Sequence, residues 1–365
     1  MKKKKSGGKP RWLRWDEVFA RDANFSFVVA ERELGKSFGL REQTLRDFRD
    51  NGERCIAIVR YKDDIQLSIA DYYGDVIDKT TDKRLRAWLE GMEFNTQGNV
   101  IYCREKPVGK EKSPWEEILR MIPLSKATRY KMATMRKLRR VIFDEALIDK
   151  RIDTYTRYLP NEYNLLQNLI GTLQRYCDKD AGGRPRLRVY LMGNAVDLIN
   201  PYFAALGITE APAFGARWFK EKTWYLYYPD PADYAGKGDG ERFAERMRDS
   251  ASDYANKFDA GGAAFIAQKT SAAKFAFGVA YKGEEFGIWC DDRAGYYYVN
   301  RKIPTDADVV FALSTNDNRP NYIVAKRANA TLRQFVDLYC FGAVKFDAPA
   351  TRERFNDVLA LFGVH

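Results

Sequence analysis

Short apolar runs recur along this chain, separated by segments with helical spacing. The runs are "NFSFVVA" at 24–30, "CIAIVRY" at 55–61, "LRRVIFDEA" at 138–146, "RLRVYLMGNA" at 186–195 and "TWYLYY" at 223–228. They are apolar at most positions rather than at alternate ones. That pattern predicts strands buried on both faces, in a mostly parallel sheet covered by helices. Between the first two runs, Leu40, Leu45 and Phe48 keep a roughly helical period, and Leu165, Leu166, Leu169, Ile170 and Leu173 make one helical stripe. Residues 62–138 read as a helical stretch through "DKRLRAWLEGM", a hairpin "FNTQGNVIYCRE" and a basic connector, together an inserted basic subdomain. A Pro/Gly/Asp stretch, "PDPADYAGKGDGE", marks a linker over 230–264 that includes a helical segment leading to "DAGGAA". The pattern then changes. "KFAFGVAY", "FGIWCDD" and "GYYYVN" predict an antiparallel meander, and two helices near 328–341 and 350–362 close the chain. The expected domains are therefore 1–229, with a basic tail over 1–14, and a smaller α+β domain over 265–365.

A length of 365 residues fits two cores better than one, and 45% hydrophobic with 14% aromatic residues can fill both. The net charge of +11 favours a polyanionic partner, nucleic acid or an acidic membrane surface. No stretch is long and apolar enough to cross a bilayer. The start "MKKKKSGGKPRWLR" carries seven positive and no negative side chains, but no apolar core follows as a secretory signal requires. It reads equally as a solvated terminus or as a basic arm on phosphates. The five cysteines contain no C-x-x-C pair, which suits reduced thiols. The sole histidine is His365, so Ser-His-Asp, Cys-His and H-E-x-x-H chemistry is excluded. Any catalysis falls to carboxylates, lysine, arginine and an oxygen-held metal.

One stretch offers such chemistry. Ala30, Glu31, Arg32, Glu33, Leu34, Gly35, Lys36, Ser37 and Phe38 follow an apolar strand and open a helix. Gly35-Lys36-Ser37 is the closing half of a phosphate-binding loop, in which backbone N–H groups and a helix N-terminus receive phosphate oxygens. Lys36 would reach the phosphates and Ser37 would bind Mg²⁺. G-K-[ST] arises by chance in roughly one in five chains of this length, and here Ala30 stands where the first glycine belongs. "VIFDEA" adds weight, because Asp144 at a strand end can support the metal and Glu145 can polarise a water. Residues 104–140 carry twelve Lys/Arg against four Asp/Glu, from which Lys126, Arg129, Lys131, Arg136 and Lys137 are candidate phosphate-backbone contacts. Asp291 and Asp292 could serve a metal-dependent nuclease, but they fall at a hairpin turn where Asp is common. Tyr296, Tyr297 and Tyr298 could stack on bases or feed a core. "NPYF" at 200–203 reads as a turn whose aromatics pack the sheet edge.

These motifs together resemble the DNA-encapsidation ATPases of small podophages, ring motors of the P-loop ASCE class. The resemblance rests on "IFDE" (142–145), "YLPNE" (158–162) and above all "GNAVDLINPYF" (193–203). "IVRYK" (58–62), "IPLS" (122–125) and "KFAFGVAYKGEEFGIWCDD" (274–292) are weaker matches. It implies ATP and Mg²⁺ as ligands, Asn194 as a γ-phosphate sensor, and Arg175 as a finger reaching into a neighbouring subunit's site. Read without it, Arg175 is an arginine favourably placed at a helix C-terminus. It further implies double-stranded DNA, the portal of a procapsid and, where one exists, a packaging RNA as partners. The same resemblance implies a homo-oligomeric, pentameric ring without a membrane partner. The site of action would be the cytoplasm of an infected bacterium, with transient residence on the procapsid. The C-terminal domain would resemble a ribonuclease-H-like nuclease that has lost its acids. Three alternatives stand beside it: another nucleic-acid motor such as a helicase or DNA-transfer ATPase, a nucleic-acid-binding module with an inactive loop, and a terminase with its own nuclease.

Overall fold

The computed structural model describes residues 12–30, 34–107, 113–130, 136–148, 156–195, 198–234, 265–326 and 328–364. They form two compact units, Met1–Val196 with Pro212–Lys257, and Asp197–Ala211 with Phe258–His365.

The first unit opens with α1 (Trp15–Phe19), β1 (Phe25–Val29), α2 (Lys36–Asn51) and β2 (Arg54–Val59). Short helices α3 (Asp64–Ser68), α4 (Gly74–Lys79) and α5 (Lys83–Glu90) lead to the hairpin β3 (Met92–Gln97) and β4 (Val100–Glu105). Then come β5 (Glu116–Pro123), a 3-10 turn over Leu124–Tyr130, β6 (Leu138–Phe143), α6 (Glu162–Tyr176) and β7 (Arg188–Gly193). After helix α7 (Pro201–Leu206) the chain adds β8 (Gly215–Phe219) and β9 (Trp224–Tyr228). The nine strands form one sheet in the order β3-β4-β5-β2-β6-β7-β1-β9-β8. The six from β5 to β9 are parallel to their neighbours, and β3, β4 and β8 close the edges antiparallel. Parallel strands need both faces covered, and β1 and β7 are buried at every position.

The expected inserted subdomain over 62–138 is corrected by this sheet. β5 pairs in parallel with β2 and antiparallel with β4, and Ile118, Leu119, Met121 and Ile122 are fully buried. Two ranks of ladder hydrogen bonds and the burial of its apolar side chains make it a core strand, although charges crowd its flanks.

The expected tail over 1–14 is also shorter than drawn. Leu13 and Trp15 are buried, and the Leu13 N–H donates to the Leu34 carbonyl at 3.0 Å. The Trp15 indole donates to the Lys36 carbonyl at 3.1 Å and lies directly over Gly39. A Cβ at Gly39 would come within 2.4 Å of Trp15 Cδ1. Gly39→Ala should therefore lower stability by about 1–3 kcal/mol despite alanine's better helix propensity, as a drop in urea midpoint. An unchanged or higher midpoint would show that Trp15 yields freely. Residues 1–11 lie outside the described residues.

The second unit holds β10 (Lys274–Tyr281), β11 (Glu284–Asp291), β12 (Tyr296–Asn300), β13 (Val310–Ala312) and β14 (Ile323–Val324). It ends with α8 (Ala330–Cys340), β15 (Val344–Phe346) and α9 (Pro349–Leu361). The sheet order is β14-β13-β10-β11-β12-β15, with β10 to β12 an antiparallel meander and the other pairs parallel. Phe277, Phe286, Phe335, Phe346 and Phe355 sit in its core.

Two further expectations change here. "NPYF" is no sheet-edge turn. The Asn200 side chain accepts from the Phe203 N–H at 2.9 Å as N-cap of α7, Pro201 fills the first helical turn, and Tyr202 and Phe203 are fully buried. α7 packs on α9, so residues 197–211 group with the second unit, and the expected first domain 1–229 is interrupted there. The linker expected over 230–264 begins with structure, since Tyr234 is buried in the first unit's core with its hydroxyl 3.3 Å from that of Tyr227. Residues 235–264, including the expected helical segment, lie outside the described residues.

Candidate nucleotide site

The parallel register brings the motifs to one edge. Val29 lies opposite Gly193 and Phe143 opposite Leu191, so Ala30, Asn194 and Asp144 all follow the carboxyl ends of their strands. Ligands of open α/β sheets bind outside that edge. β7 stands between β1 and β6, so the strand feeding Gly35-Lys36-Ser37 and the strand ending in Asp144-Glu145 are separated by the one ending in Asn194.

Gly35 turns the chain into α2 with φ 73 and ψ 25, a left-handed conformation that favours glycine. As N-cap it has no side chain to offer the first-turn N–H groups of α2, the groups a phosphate loop turns to its anion. Lys36 is buried, and its Nζ donates to the Ala30 carbonyl at 2.7 Å and to Asn194 Oδ1 at 3.0 Å. Ala30 continues the ladder, its N–H donating to the Gly193 carbonyl at 3.1 Å, with a negative φ and a fully buried methyl. A residue that extends the strand needs no glycine's freedom, which accounts for alanine at this position. Leu34 is buried, while Ser37 and Phe38 are half-buried, Phe38 against the core. Glu31, Arg32 and Glu33 lie outside the described residues.

Asp144 Oδ1 accepts from the Glu145 N–H at 3.0 Å, and Arg41 Nη2 stands 3.5 Å from Oδ2. Arg41 was not singled out from the sequence. It lies one helical turn beyond Ser37, so i, i+4 spacing along the helix was the available signal. Its guanidinium stacks 4.4 Å from the Tyr72 ring and donates to the Tyr72 carbonyl at 3.3 Å. Burial pushes the Tyr72 phenol well up, so the ring beneath the guanidinium stays neutral. Arg41 shows that Asp144 faces the side of α2 that carries Ser37. One hydroxyl and one carboxylate are the few protein ligands that magnesium takes beside phosphate oxygens and water, in place of an all-protein cage. Among the described residues no three Asp, Glu, Cys or His cluster as a metal-ligand set.

Glu145 is exposed and adopts φ 53, a left-handed backbone that costs a non-glycine residue about 1–3 kcal/mol. Its turn is pinned. The Ala146 N–H donates to the Met192 carbonyl at 2.8 Å, and the Ala146 carbonyl accepts from Arg60 Nη2 at 3.0 Å. Arg60 in turn grips Glu162, Nε to Oε2 at 2.8 Å and Nη2 to Oε1 at 3.0 Å. Glu162 is wholly buried and also accepts from the Leu159 N–H at 2.8 Å. Two of the motifs noted above, "IVRYK" and "YLPNE", thus meet as a buried ion pair.

Other candidates lie elsewhere. α6 spans about 22 Å at 1.5 Å per residue and returns from the carboxyl edge towards the start of β7. Exposed Arg175 in its last turn is therefore carried away from Lys36 and Asp144 of its own chain. Lys126 and Arg129 line a cleft of about 480 Å³ with Lys62, Gln66, Asn99 and Tyr130, beyond the carboxyl ends of β2 and β5. Arg136 and Lys137 are exposed just before β6 begins, at the opposite edge, so the basic candidates are not one patch. Lys131 lies outside the described residues. In the second unit, Asp291 is occupied by its own turn and by the segment before β10, accepting from the Arg293 and Ala294 N–H groups and from the Thr270 hydroxyl. Those bonds, the Thr270 hydroxyl foremost, hold its carboxyl below the usual range, as a turn-capping aspartate requires. Asp292 accepts from the Cys290 thiol. Tyr298 is buried and Tyr297 meets Phe335 edge-on at 5.9 Å, while exposed Tyr296 lies under Lys345.

A strand–glycine turn–helix on a parallel sheet, with a lysine held by an asparagine and an acid pair on the same edge, defines a mixed α/β protein. The chain belongs to the podovirus DNA encapsidation protein (Gp16) family, whose sequence profile matches residues 9–360. It is 26% identical over 337 residues to the DNA packaging protein of Bacillus phage B103, covering 89% of this chain and 93% of that one. Against the DNA packaging protein of Bacillus phage phi29 it is 25% identical over 347 residues, 92% and 93% of the two chains. Among solved structures, a chain of the bacteriophage Phi-29 viral genome packaging motor assembly shares the fold with a TM-score of 0.67 and 21% identity, over 96% of this chain and 99% of that one.

Proposed function

We propose that this chain is a motor subunit that hydrolyses ATP with Mg²⁺ and drives double-stranded DNA into a phage capsid. The observation that carries the proposal is the Lys36 ammonium, buried and bonded to both Ala30 and Asn194 on the edge that also ends in Asp144-Glu145. In this reading Lys36 and the first-turn N–H groups of α2 bind phosphate oxygens, and Ser37 and Asp144 hold the metal. A bound magnesium ion supplies charge neutralisation at the phosphates. Glu145 orients the attacking water and takes its proton. Asn194 shares Lys36 with Ala30, so a ligand that draws the ammonium away releases the asparagine. The additional strand β7 between β1 and β6 supports assignment to the ASCE class of phosphate-loop ATPases.

Arg175, carried away from its own site, is free to serve a neighbour's in a homo-oligomeric, pentameric ring. The motor assembly among the structural relatives supports a procapsid portal as the docking partner, with a packaging RNA where one exists, in the cytoplasm of the infected host. Lys126 and Arg129 in their cleft are the stronger candidates for phosphate contacts; Arg136 and Lys137 belong to another face. The meander β10–β12 followed by parallel β13 and β14, with no acid in β10 or β13, supports a ribonuclease-H-like domain without nuclease chemistry.

The deciding experiment is the ATPase rate of the full chain with and without double-stranded DNA across a salt series. Stimulation by DNA that fades as salt rises is expected, because phosphate tracking releases counterions. Arg175→Ala subunits should be inactive alone and partly restored when mixed with wild type. Nucleotide binding without turnover, even with DNA present, would instead favour a binding module with an inactive loop.

A further inference from the structure

We propose that Arg60 is a positioning residue for hydrolysis: it holds the left-handed turn that presents Glu145 and ties that turn to the first residue of α6. The inference rests on the reading of Glu145 as the group that activates water. Glu145 lies between two anchors. Its own N–H is held by Asp144 Oδ1 at 3.0 Å, and the next residue, Ala146, is held on one side by Met192 and on the other by Arg60. Without the Arg60 bond the Ala146 carbonyl has lost a partner, and a strained φ of 53 at Glu145 has less to keep it.

The guanidinium is suited to this work in a way that an ammonium is not. Nε and Nη2 meet the two Glu162 oxygens at 2.8 and 3.0 Å, and the second Nη2 hydrogen reaches the Ala146 carbonyl at 3.0 Å. A planar fork serves a carboxylate and a carbonyl in one fixed geometry, whereas a lysine offers a point charge on a flexible stem. The Phe143 and Tyr158 rings, each 5.3 Å from the guanidinium carbon, confine the plane further. Phe143 is the residue immediately before Asp144. Arg60 thereby joins the ends of β2 and β6 with the start of α6. A purely stabilising ion pair would account for the bond to Glu162; the bond to the Ala146 carbonyl gives it leverage on the catalytic turn.

The test uses Arg60→Lys in the full chain. Affinity for a fluorescent ATP analogue should stay within about threefold of wild type, while the DNA-stimulated kcat falls on the order of 10- to 100-fold with little change in KM. In a Glu145→Gln background the same substitution should lower the residual rate by less than about twofold, because residues acting as a unit are not additive. Amide exchange at Ala146 should quicken at least about tenfold, a readout independent of turnover. An unchanged kcat with unchanged exchange overturns the inference, as do rate losses that multiply in the double variant. If Arg60→Lys does not fold, Glu162→Gln keeps the side chain's shape, and the same three readouts decide. A wild-type chain that hydrolyses no ATP counts against the proposed function, and the exchange arm alone then decides whether Arg60 holds the turn.

Discussion

Lys36→Ala should lower DNA-stimulated ATP turnover on the order of 10²- to 10³-fold, the scale of losing one preorganised donor to developing phosphate charge. The structure adds a second consequence. The lysine donates to the Ala30 carbonyl, on a residue with no exposed surface, and to Asn194 Oδ1. Truncation leaves that carbonyl without its ammonium donor, which costs about 1–3 kcal/mol if no water replaces it. Lys36→Ala should thus lose stability as well as activity, while Ser37→Ala, which breaks no bond to β1 or β7, should lose activity alone. Steady-state kinetics beside thermal melts separates the two. Near-normal turnover by Lys36→Ala would sink the assignment of the site.

The largest effect on stability is expected at Glu162→Ala. Arg60 is 7% exposed and Glu162 0% exposed, so the substitution strands a guanidinium beside two aromatic rings. Breaking a buried pair from one side costs about 3–5 kcal/mol, which for a unit of this size lowers its melting temperature by roughly 10 °C. Replacing both partners, Arg60→Met with Glu162→Leu, removes the uncompensated charge and should recover about half of the loss. It should not recover all, because the Leu159 N–H and the Ala146 carbonyl still lose their partners. Calorimetry on the two variants beside wild type is the measurement. A double variant no more stable than Glu162→Ala would show that the charge was not the cause.

The apolar runs made much of the first sheet legible, because strands buried on both faces have nowhere to place charge. β1, β6, β7 and β9 fall inside runs visible in the sequence, β2 does so in all but its first residue, and the meander likewise matches β10 to β12. β5 was hidden because Glu116, Glu117 and Arg120 interrupt its apolar positions. Counting charge over a long window found a basic connector where a shorter one finds four buried side chains. α7 was missed although asparagine followed by proline is a recognised way to begin a helix. At the site, Lys36, Asp144, Glu145 and Asn194 were readable as a motif set, and the sheet brings them to one edge. The Arg60–Glu162 pair was not, since its members stand 102 positions apart and only the β2–β6–α6 arrangement joins them. Arg41 fell between these cases, one turn from a residue already chosen.

The excursion of residues 197–211 into the second unit has a mechanical consequence. Asn194, bonded to Lys36, precedes the first residue of that excursion by only three positions, a tether of at most about 11 Å. A load borne by the second unit therefore has a short covalent path to the amide that shares the lysine, beside the two other crossings of the chain, at 211/212 into the strand pair β8–β9 and at 257/258. Tension on the second unit and the bonding of a single ammonium in the first are thereby joined through three residues of backbone.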